Sequence, residues 1–94
     1  MNIFVIGGGA REHSIIWSLK KSKNCGDIFC SPGNAGIERL ASCHNLDFND
    51  RKGIKDFCNE NNIKLVIIGP EEFLEKGLGD FFIEKGIKVF GPSK

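Results

Sequence analysis

The chain has 94 residues, which is enough for one hydrophobic core and too few for two domains. Thirteen basic and twelve acidic residues leave a formal net charge of +1, and neither sign forms a block. This balance excludes the basic surface of a nucleic-acid binder or of a polybasic membrane binder. The sequence predicts neither a membrane span nor a signal peptide. We therefore expect a cytoplasmic protein that binds a small neutral or anionic molecule.

The start of the chain predicts an anion site. The apolar run Ile3-Phe4-Val5-Ile6 predicts a buried strand over 2–6, and the turn Gly7-Gly8-Gly9 follows it and opens a helix over about 11–21. Glycine permits the turn and lets a ligand approach the backbone closely. The free amides and the positive dipole end of the helix attract negative charge. We expect a phosphate-sized anion to bind here.

Short elements follow in the first half of the chain. Ile15, Ile16 and Leu19 are predicted to face the core from the first helix. A second strand is predicted over 27–30, and turn residues follow over 31–36. A short helical piece then ends at Leu40. A brief third strand is predicted over 44–46.

The second half repeats the alternation of helix and strand. Asp50 is predicted to cap a helix that ends near residue 61. The continuous apolar run 64–68 predicts a central parallel strand that is buried on both sides. A third helix is predicted from apolar residues at helical spacing, Leu74, Leu78, Phe81 and Phe82. Gly86 is predicted to close that helix before a strand over 88–90, which Gly91-Pro92 ends.

This order predicts an α/β fold, an open parallel Rossmann-like sheet of about five strands with helices on both faces. Parallel strands connected by helices bind ligands beyond the carboxyl ends of the strands. Three loops are expected to meet at that edge, and they span residues 7–13, 31–36 and 69–71. Their convergence is the main functional signal in the sequence.

The cysteines and aromatic residues are interpreted as packing residues. Cys25, Cys30, Cys43 and Cys58 lack the paired spacing of a zinc site, so no metal is expected, and we interpret them as small buried hydrophobes. Trp17 and the eight phenylalanines are expected in the core or on helix faces, because no basic groove accompanies them for base stacking.

A nicotinamide-dinucleotide domain is the obvious alternative. Gly7 and Gly9 supply the first two glycines of the GxGxxG fingerprint, but the third position is Glu12. A carboxylate there removes the close packing of helix on strand and places negative charge near a pyrophosphate. The second strand ends in Cys30-Ser31, without the acidic residue that binds the adenine ribose. Both features disfavour NAD.

Three motifs together resemble one family. GGGAREH after the first strand, SPGNAG after the second and IIGPE at the fourth occur in the order and spacing of phosphoribosylamine-glycine ligase, with Gly77 and Asp80 downstream. The resemblance covers essentially the whole chain. It implies an ATP-grasp ligase of purine biosynthesis, in which glycine is activated by ATP and then attacked by the amine of 5-phosphoribosylamine.

The resemblance also implies a division of labour. Residues 1–94 correspond to one amino-terminal, pre-ATP-grasp, substrate-binding domain. ATP, glycine and Mg²⁺ (or Mn²⁺) would bind to domains farther along a longer chain, so we expect this chain alone to be inactive and to hold no catalytic or metal-binding residue. The open alternatives are a related ATP-grasp carboxylase or ligase domain, and a free-standing binding or regulatory module of flavodoxin-like shape.

The resemblance places the candidate substrate-binding residues at Gly9, Ala10, Arg11, Glu12, Asn34, Gly36, Pro70 and Glu71. The amides of Gly9, Ala10 and Arg11 are expected to hold the phosphoribosyl group. Asn34 and Gly36 are expected to reach ribose or phosphate. Glu71 is expected to bind ribose hydroxyls or the reactive amine, because a carboxylate accepts hydrogen bonds from either. A carboxylate at the end of a buried strand is also costly unless it is solvated or paired.

The chain departs from the family at Ala10, where glycine is usual, and at Phe73, where proline is usual. The first departure is harmless if the backbone is right-handed there, and the second is expected to make its loop more mobile. Plainer interpretations also exist. His13 is expected to pack or cap within the first helix rather than act as a base. Asn34 would form hydrogen bonds within its own loop. Arg11 and Glu12 would form an ordinary solvated start of a helix.

Overall fold

Strands and helices alternate along the chain as the apolar pattern predicts. The computed structural model describes residues 1–71, 73 and 76–91. Its elements are β1 (Asn2–Gly7), α1 (Ala10–Leu19), β2 (Ile28–Pro32), a 3₁₀ turn (Ile37–Arg39), β3 (Ser42–Cys43), α2 (Arg51–Glu60), β4 (Ile63–Ile68), α3 (Leu78–Glu84) and β5 (Lys88–Phe90).

The five strands form one sheet in the order β3-β2-β1-β4-β5, and every neighbouring pair is parallel. β1 is the central strand, and its Val5 lies opposite Cys30 of β2 and Ile67 of β4. The predicted open, parallel, Rossmann-like α/β sheet is confirmed.

Alternate residues of β1 supply the two cores. Ile3 and Val5 face α1 and pack in one cluster with Ile16. Phe4 and Ile6 face the other way, in a cluster with residues of α2 and α3 that include Ile54, Phe57, Leu78 and Phe82. Because successive side chains of a strand point to opposite faces, this division confirms helices on both faces of the sheet.

Helix boundaries follow the predicted signals. The Asp50 side chain accepts a hydrogen bond from the Gly53 amide over 3.0 Å and so caps α2. Gly86 lies just beyond α3 with φ of 79°, the left-handed conformation that glycine adopts after a helix. Leu74 and Pro92, which also entered the predictions for this part of the chain, lie outside the described residues.

The third strand was predicted over 44–46, and this was wrong. β3 is only two residues long, and Ser42 and Cys43 pair with Phe29 and Cys30 of β2. A two-residue edge strand is defined by its pairing with β2, because it is too short to carry a periodic pattern. After it, the Leu46 amide donates to the Ser31 hydroxyl over 3.2 Å instead of continuing a backbone ladder.

Two other packing predictions need correction. Trp17 is 53% exposed rather than packed, and the Lys21 ammonium lies 3.4 Å from its ring centroid. Phe90 is 69% exposed as well. In β4, Val66 and Ile68 are buried against α2 and α3, whereas the residues facing the α1 side are only half-buried. One face of this strand is therefore less covered than the apolar run predicts.

Candidate functional site

The three predicted loops meet at the carboxyl edge of the sheet. The Gly33 amide donates to the carbonyl of Gly7 over 3.2 Å, and the Asn34 side-chain amide donates to the carbonyl of Gly8 over 2.8 Å. On the other side, the Arg11 guanidinium donates to the carbonyl of Gly69. The turn after β1 is thus bound to the loops after both neighbouring strands.

The glycine turn places the start of α1 at this edge. Gly7 has φ of 138°, which residues with a side chain rarely adopt, so the chain can turn sharply where β1 ends. Gly9 is extended and exposed, and α1 begins at Ala10. Ala10 therefore lies in right-handed helix, and its methyl group introduces no strain. The departure from the family's glycine is tolerated by the backbone.

Glu12 is buried, which corrects the interpretation of a solvated helix start. Only 6% of the residue is exposed. Its Oε1 accepts a hydrogen bond from the Gly9 amide over 2.9 Å, and its Oε2 lies 3.3 Å from Nε of Arg11. The carboxylate thus closes the first turn of α1 from within, as the third helical residue does in a capping box.

Arg11 connects the helix to the loop after β4. Its side chain is 63% exposed, yet it contacts both the Glu12 carboxylate and the Gly69 carbonyl. The amides of Ala10 and Arg11 lie in the first turn of α1, where no intrahelical acceptor exists. These two N–H groups, with the amide of Glu12 behind them, are donors that the turn offers to an anion, whereas the Gly9 amide is already bonded to Glu12.

Asn34 organises its own loop, as the plainer interpretation predicts. While its amide nitrogen binds Gly8, its Oδ1 accepts a hydrogen bond from the Ile37 amide over 2.9 Å and caps the 3₁₀ turn. Gly36 lies against the imidazole of His13, which is half-buried and packs as predicted. Ligand binding by Asn34 and Gly36 stays a prediction.

Pro70 and Glu71 follow β4 at the same edge. Pro70 is half-buried, and Glu71 is exposed. Glu71 is therefore solvated, which is the condition under which a carboxylate at the end of a strand carries no burial cost. Phe73 packs its ring 5.1 Å from that of Phe48, and its amide donates to Pro70 over 3.4 Å. Roles for Pro70 and Glu71 in binding stay predictions.

The cysteine beside the site is a buried thiol. Cys30 Sγ donates to the carbonyl of Gly7 over 3.3 Å. Burial, with smaller contributions from Cys43 and Glu12, raises the pKa of the Cys30 thiol to about 12, and burial raises the pKa of Cys58 to about 11. Both are protonated at neutral pH and behave as small hydrophobes, as predicted. All four cysteines are free thiols.

Gly69 was predicted as part of the third loop and of the IIGPE motif, but its contact with Glu12 was not. A Cβ at this position would lie 2.6 Å from Oε2 of Glu12. The available signal was a glycine at the carboxyl end of a strand next to β1. Beside it lies a cavity of about 190 Å³, lined by Arg11, Ile15, Ile67, Ile68, Gly69, Phe90 and Gly91.

Comparison with known proteins decides the family. Residues 1–94 match the family described as phosphoribosylglycinamide synthetase, N domain. The chain belongs to this family. The predicted resemblance is confirmed over its whole length, and GGGAREH, SPGNAG and IIGPE lie within the matched residues.

Curated relatives are named accordingly. A phosphoribosylamine-glycine ligase of Caldanaerobacter subterraneus subsp. tengcongensis is 45% identical over 94 residues, which cover 100% of this chain and 22% of the relative. The enzyme of the same name from Clostridium acetobutylicum is 39% identical, over 100% of this chain and 23% of its own length. The trifunctional purine biosynthetic protein adenosine-3 of Drosophila melanogaster is 42% identical over 98% of this chain and 7% of its own. The chain thus spans about a fifth of the length of the ligases.

A solved structure shares the fold. The crystal structure of RSP in complex with beta-NADH superposes with a TM-score of 0.62 at 23% identity, over 99% of this chain and 47% of that one. Identity at this level supports the Rossmann-like fold and no more. Among the residues that the structure describes, no helix is long and apolar enough to cross a membrane.

Proposed function

We propose that this chain is the substrate domain of an ATP-dependent ligase that joins glycine to 5-phosphoribosylamine, and that the carboxyl edge of its sheet holds the phosphoribosyl group. The observation that carries the proposal is the turn over 7–12. It belongs to a synthetase N domain, and it presents the first-turn amides of Ala10 and Arg11 where a phosphate would accept hydrogen bonds.

The ligase reaction forms an amide bond between the substrate amine and the glycine carboxyl group. ATP, together with Mg²⁺ or Mn²⁺ on domains outside these residues, would supply the activation of that carboxyl group. The part assigned to this chain is to hold the amine in line with its target. Positioning of this kind accelerates a bimolecular step without proton transfer.

The electrostatics of the turn favour a phosphate bound by backbone groups. The guanidinium of Arg11 is engaged by the Glu12 carboxylate and the Gly69 carbonyl, so its charge is partly neutralised within the protein. Hydrogen bonds from amide donors at a helix N-terminus then provide the attraction. We assign the binding of ribose or its amine to the exposed side chain of Glu71 and to Pro70. Asn34 and Gly36 in the second loop are assigned to ribose or phosphate.

An NMR titration with a matched pair of variants tests this assignment. Ala10 is the first residue of α1, a position where proline fits without its N–H, and Gly9 before it is already extended. Ala10→Pro therefore removes one donor and keeps the helix, while Ala10→Ser keeps the donor. Ribose 5-phosphate is titrated into each ¹⁵N-labelled protein, with ribose and NADH as control ligands.

We expect ribose 5-phosphate to shift the amides of Ala10 and Arg11 in the wild type, with ribose producing much smaller shifts. Ala10→Ser should bind as the wild type does, and Ala10→Pro about tenfold more weakly, as expected for one lost bond to a charged acceptor. Equal binding by the two variants contradicts the assignment of the amides. A response to NADH in place of ribose 5-phosphate contradicts the proposed function.

A further inference from the structure

We propose that Glu12 is a positioning residue that fixes the shape of the phosphate turn without touching the ligand. The proposal rests on the proposed function, because it names the residue that prepares the same site. It assigns three tasks to one buried carboxylate, namely bonding the Gly9 amide, orienting Arg11 and filling the gap between the ends of β1 and β4.

The contacts of the carboxylate point inward. Oε1 is bonded to the Gly9 amide over 2.9 Å, Oε2 faces Nε of Arg11 at 3.3 Å, and 6% of the residue is exposed. A carboxylate that binds a ligand directly needs an oxygen open to the solvent side. Both oxygens of Glu12 are instead engaged by its own helix, so its effect on a ligand passes through the turn.

Two strands end in glycine to make room for this side chain. A Cβ at Gly7 would lie 2.5 Å from Oε1, and a Cβ at Gly69 would lie 2.6 Å from Oε2. Contacts this short do not occur, so neither position accepts a side chain while Glu12 is in place. Since β1 and β4 are neighbours, with Ile6 opposite Ile68, the carboxylate lies across the end of the strand pair.

This arrangement determines which donors a phosphate meets. The Gly9 amide is withdrawn from the ligand, and Arg11 is directed to the Gly69 carbonyl, so the amides of Ala10 and Arg11, followed by that of Glu12, remain for an anion. The negative charge of Glu12 lies behind these donors and opposes an anion electrostatically, whereas its hydrogen bond keeps them in place. Shape and charge at this position therefore have opposite effects on binding.

Three variants separate these effects. Glu12→Gln keeps an oxygen acceptor for the Gly9 amide at the same reach and removes both the charge and the acceptor that faces Arg11. Glu12→Asp keeps the charge but is one methylene shorter, so it does not reach the Gly9 amide. Glu12→Ala removes both the charge and the acceptor. Two properties are measured for each, namely hydrogen exchange at the Gly9 amide without ligand and the affinity for ribose 5-phosphate by NMR.

We expect Gly9 to exchange about tenfold faster in Glu12→Ala and Glu12→Asp, and within about threefold of the wild type in Glu12→Gln. Affinity for ribose 5-phosphate should fall about tenfold in the first two variants, and should be equal or a few-fold tighter in Glu12→Gln. If Glu12→Ala does not fold, the comparison of Glu12→Asp with Glu12→Gln decides the question.

Two results overturn the proposal. Unchanged exchange at Gly9 in Glu12→Asp shows that the carboxylate does not hold the turn. A loss of affinity in Glu12→Gln as large as in Glu12→Asp shows that the bond to the Gly9 amide, which Glu12→Gln retains, is not what binding requires. Because the exchange measurement uses no ligand, failure of the wild type to bind ribose 5-phosphate contradicts the proposed function and still leaves the role of Glu12 decided by exchange.

Discussion

The contact between Gly69 and Glu12 predicts a strong coupling between substitutions at these two positions. In Gly69→Ala, the new methyl carbon would lie 2.6 Å from Oε2, 2.7 Å from Cδ and 3.0 Å from Cγ of Glu12. The backbone of Gly69 is outside the left-handed region, so alanine is conformationally acceptable there. The carboxylate must therefore move away from the turn, and its hydrogen bond to the Gly9 amide is broken.

The magnitude follows from the lost interactions. A hydrogen bond to a charged group contributes about 1.5–3 kcal/mol, and insertion of a methyl group into a packed site costs roughly 1–3 kcal/mol. Since the two terms describe the same displacement, we expect Gly69→Ala to lower the free energy of unfolding by about 2 kcal/mol. For a domain of this size that corresponds to a fall of about 8–16 °C in the melting temperature.

The assay is a double-mutant cycle measured by urea denaturation and circular dichroism. In the Glu12→Ala background the methyl group meets no carboxylate, so Gly69→Ala should cost less than about 0.5 kcal/mol, which leaves a coupling energy of about 1.5 kcal/mol. Gly36→Ala is the control, because its nearest neighbour is the His13 ring at 3.1 Å, and its effect should be the same in both backgrounds. An equal cost of Gly69→Ala in both backgrounds refutes the reasoning.

Three further predictions concern stability. Asn34→Ala should lower the free energy of unfolding by about 1–2 kcal/mol, because it removes two loop hydrogen bonds, and urea denaturation measures this. Asp50→Ala should cost about 1 kcal/mol through loss of the cap on Gly53, and Asp50→Asn much less, in the same assay. Burial raises the pKa of Cys30 to about 12 and of Cys58 to about 11. As the pH rises, these thiols therefore ionise in the unfolded chain before they ionise in the folded protein. Stability should be complete below pH 9 and should fall as the pH rises toward 12, less steeply in Cys30→Ala, as denaturation at several pH values will show.

The sheet could be predicted because its signals are local. Residues of β1 and β4 form continuous apolar runs that end in glycine, and such runs are typical of buried parallel strands. The position of β3 could not be predicted, since two residues carry no period and their place depends on pairing with Phe29 and Cys30. Trp17 shows a related limit, because a large apolar residue on a helix does not reveal which face the helix buries.

The burial of Glu12 was beyond a local argument for another reason. A glutamate in the first turn of a helix is ordinarily exposed and favoured by the dipole. Whether Glu12 is buried depends on the space that Gly69 leaves beside it. Gly69 is bonded to this helix through Arg11, which lies 58 positions earlier in the chain. The sequence contains both residues, but only the sheet order, with β4 next to β1, brings them together.

The turn after β1 differs from the dinucleotide fingerprint at the position that sets how closely the helix approaches the strand. In the GxGxxG fingerprint the third glycine lets the helix approach the strand, and the pyrophosphate lies against the helix N-terminus. Here Glu12 occupies the third position, and the space is provided instead by Gly7 and Gly69 at the ends of two strands. The carboxylate accepts a hydrogen bond from the Gly9 amide and places a negative charge behind the turn. A pyrophosphate at this turn would meet one donor fewer and an additional repulsion from the carboxylate. Under the proposed function, the residue at the third position of the fingerprint therefore disfavours a dinucleotide and leaves the remaining first-turn amides to a single phosphate.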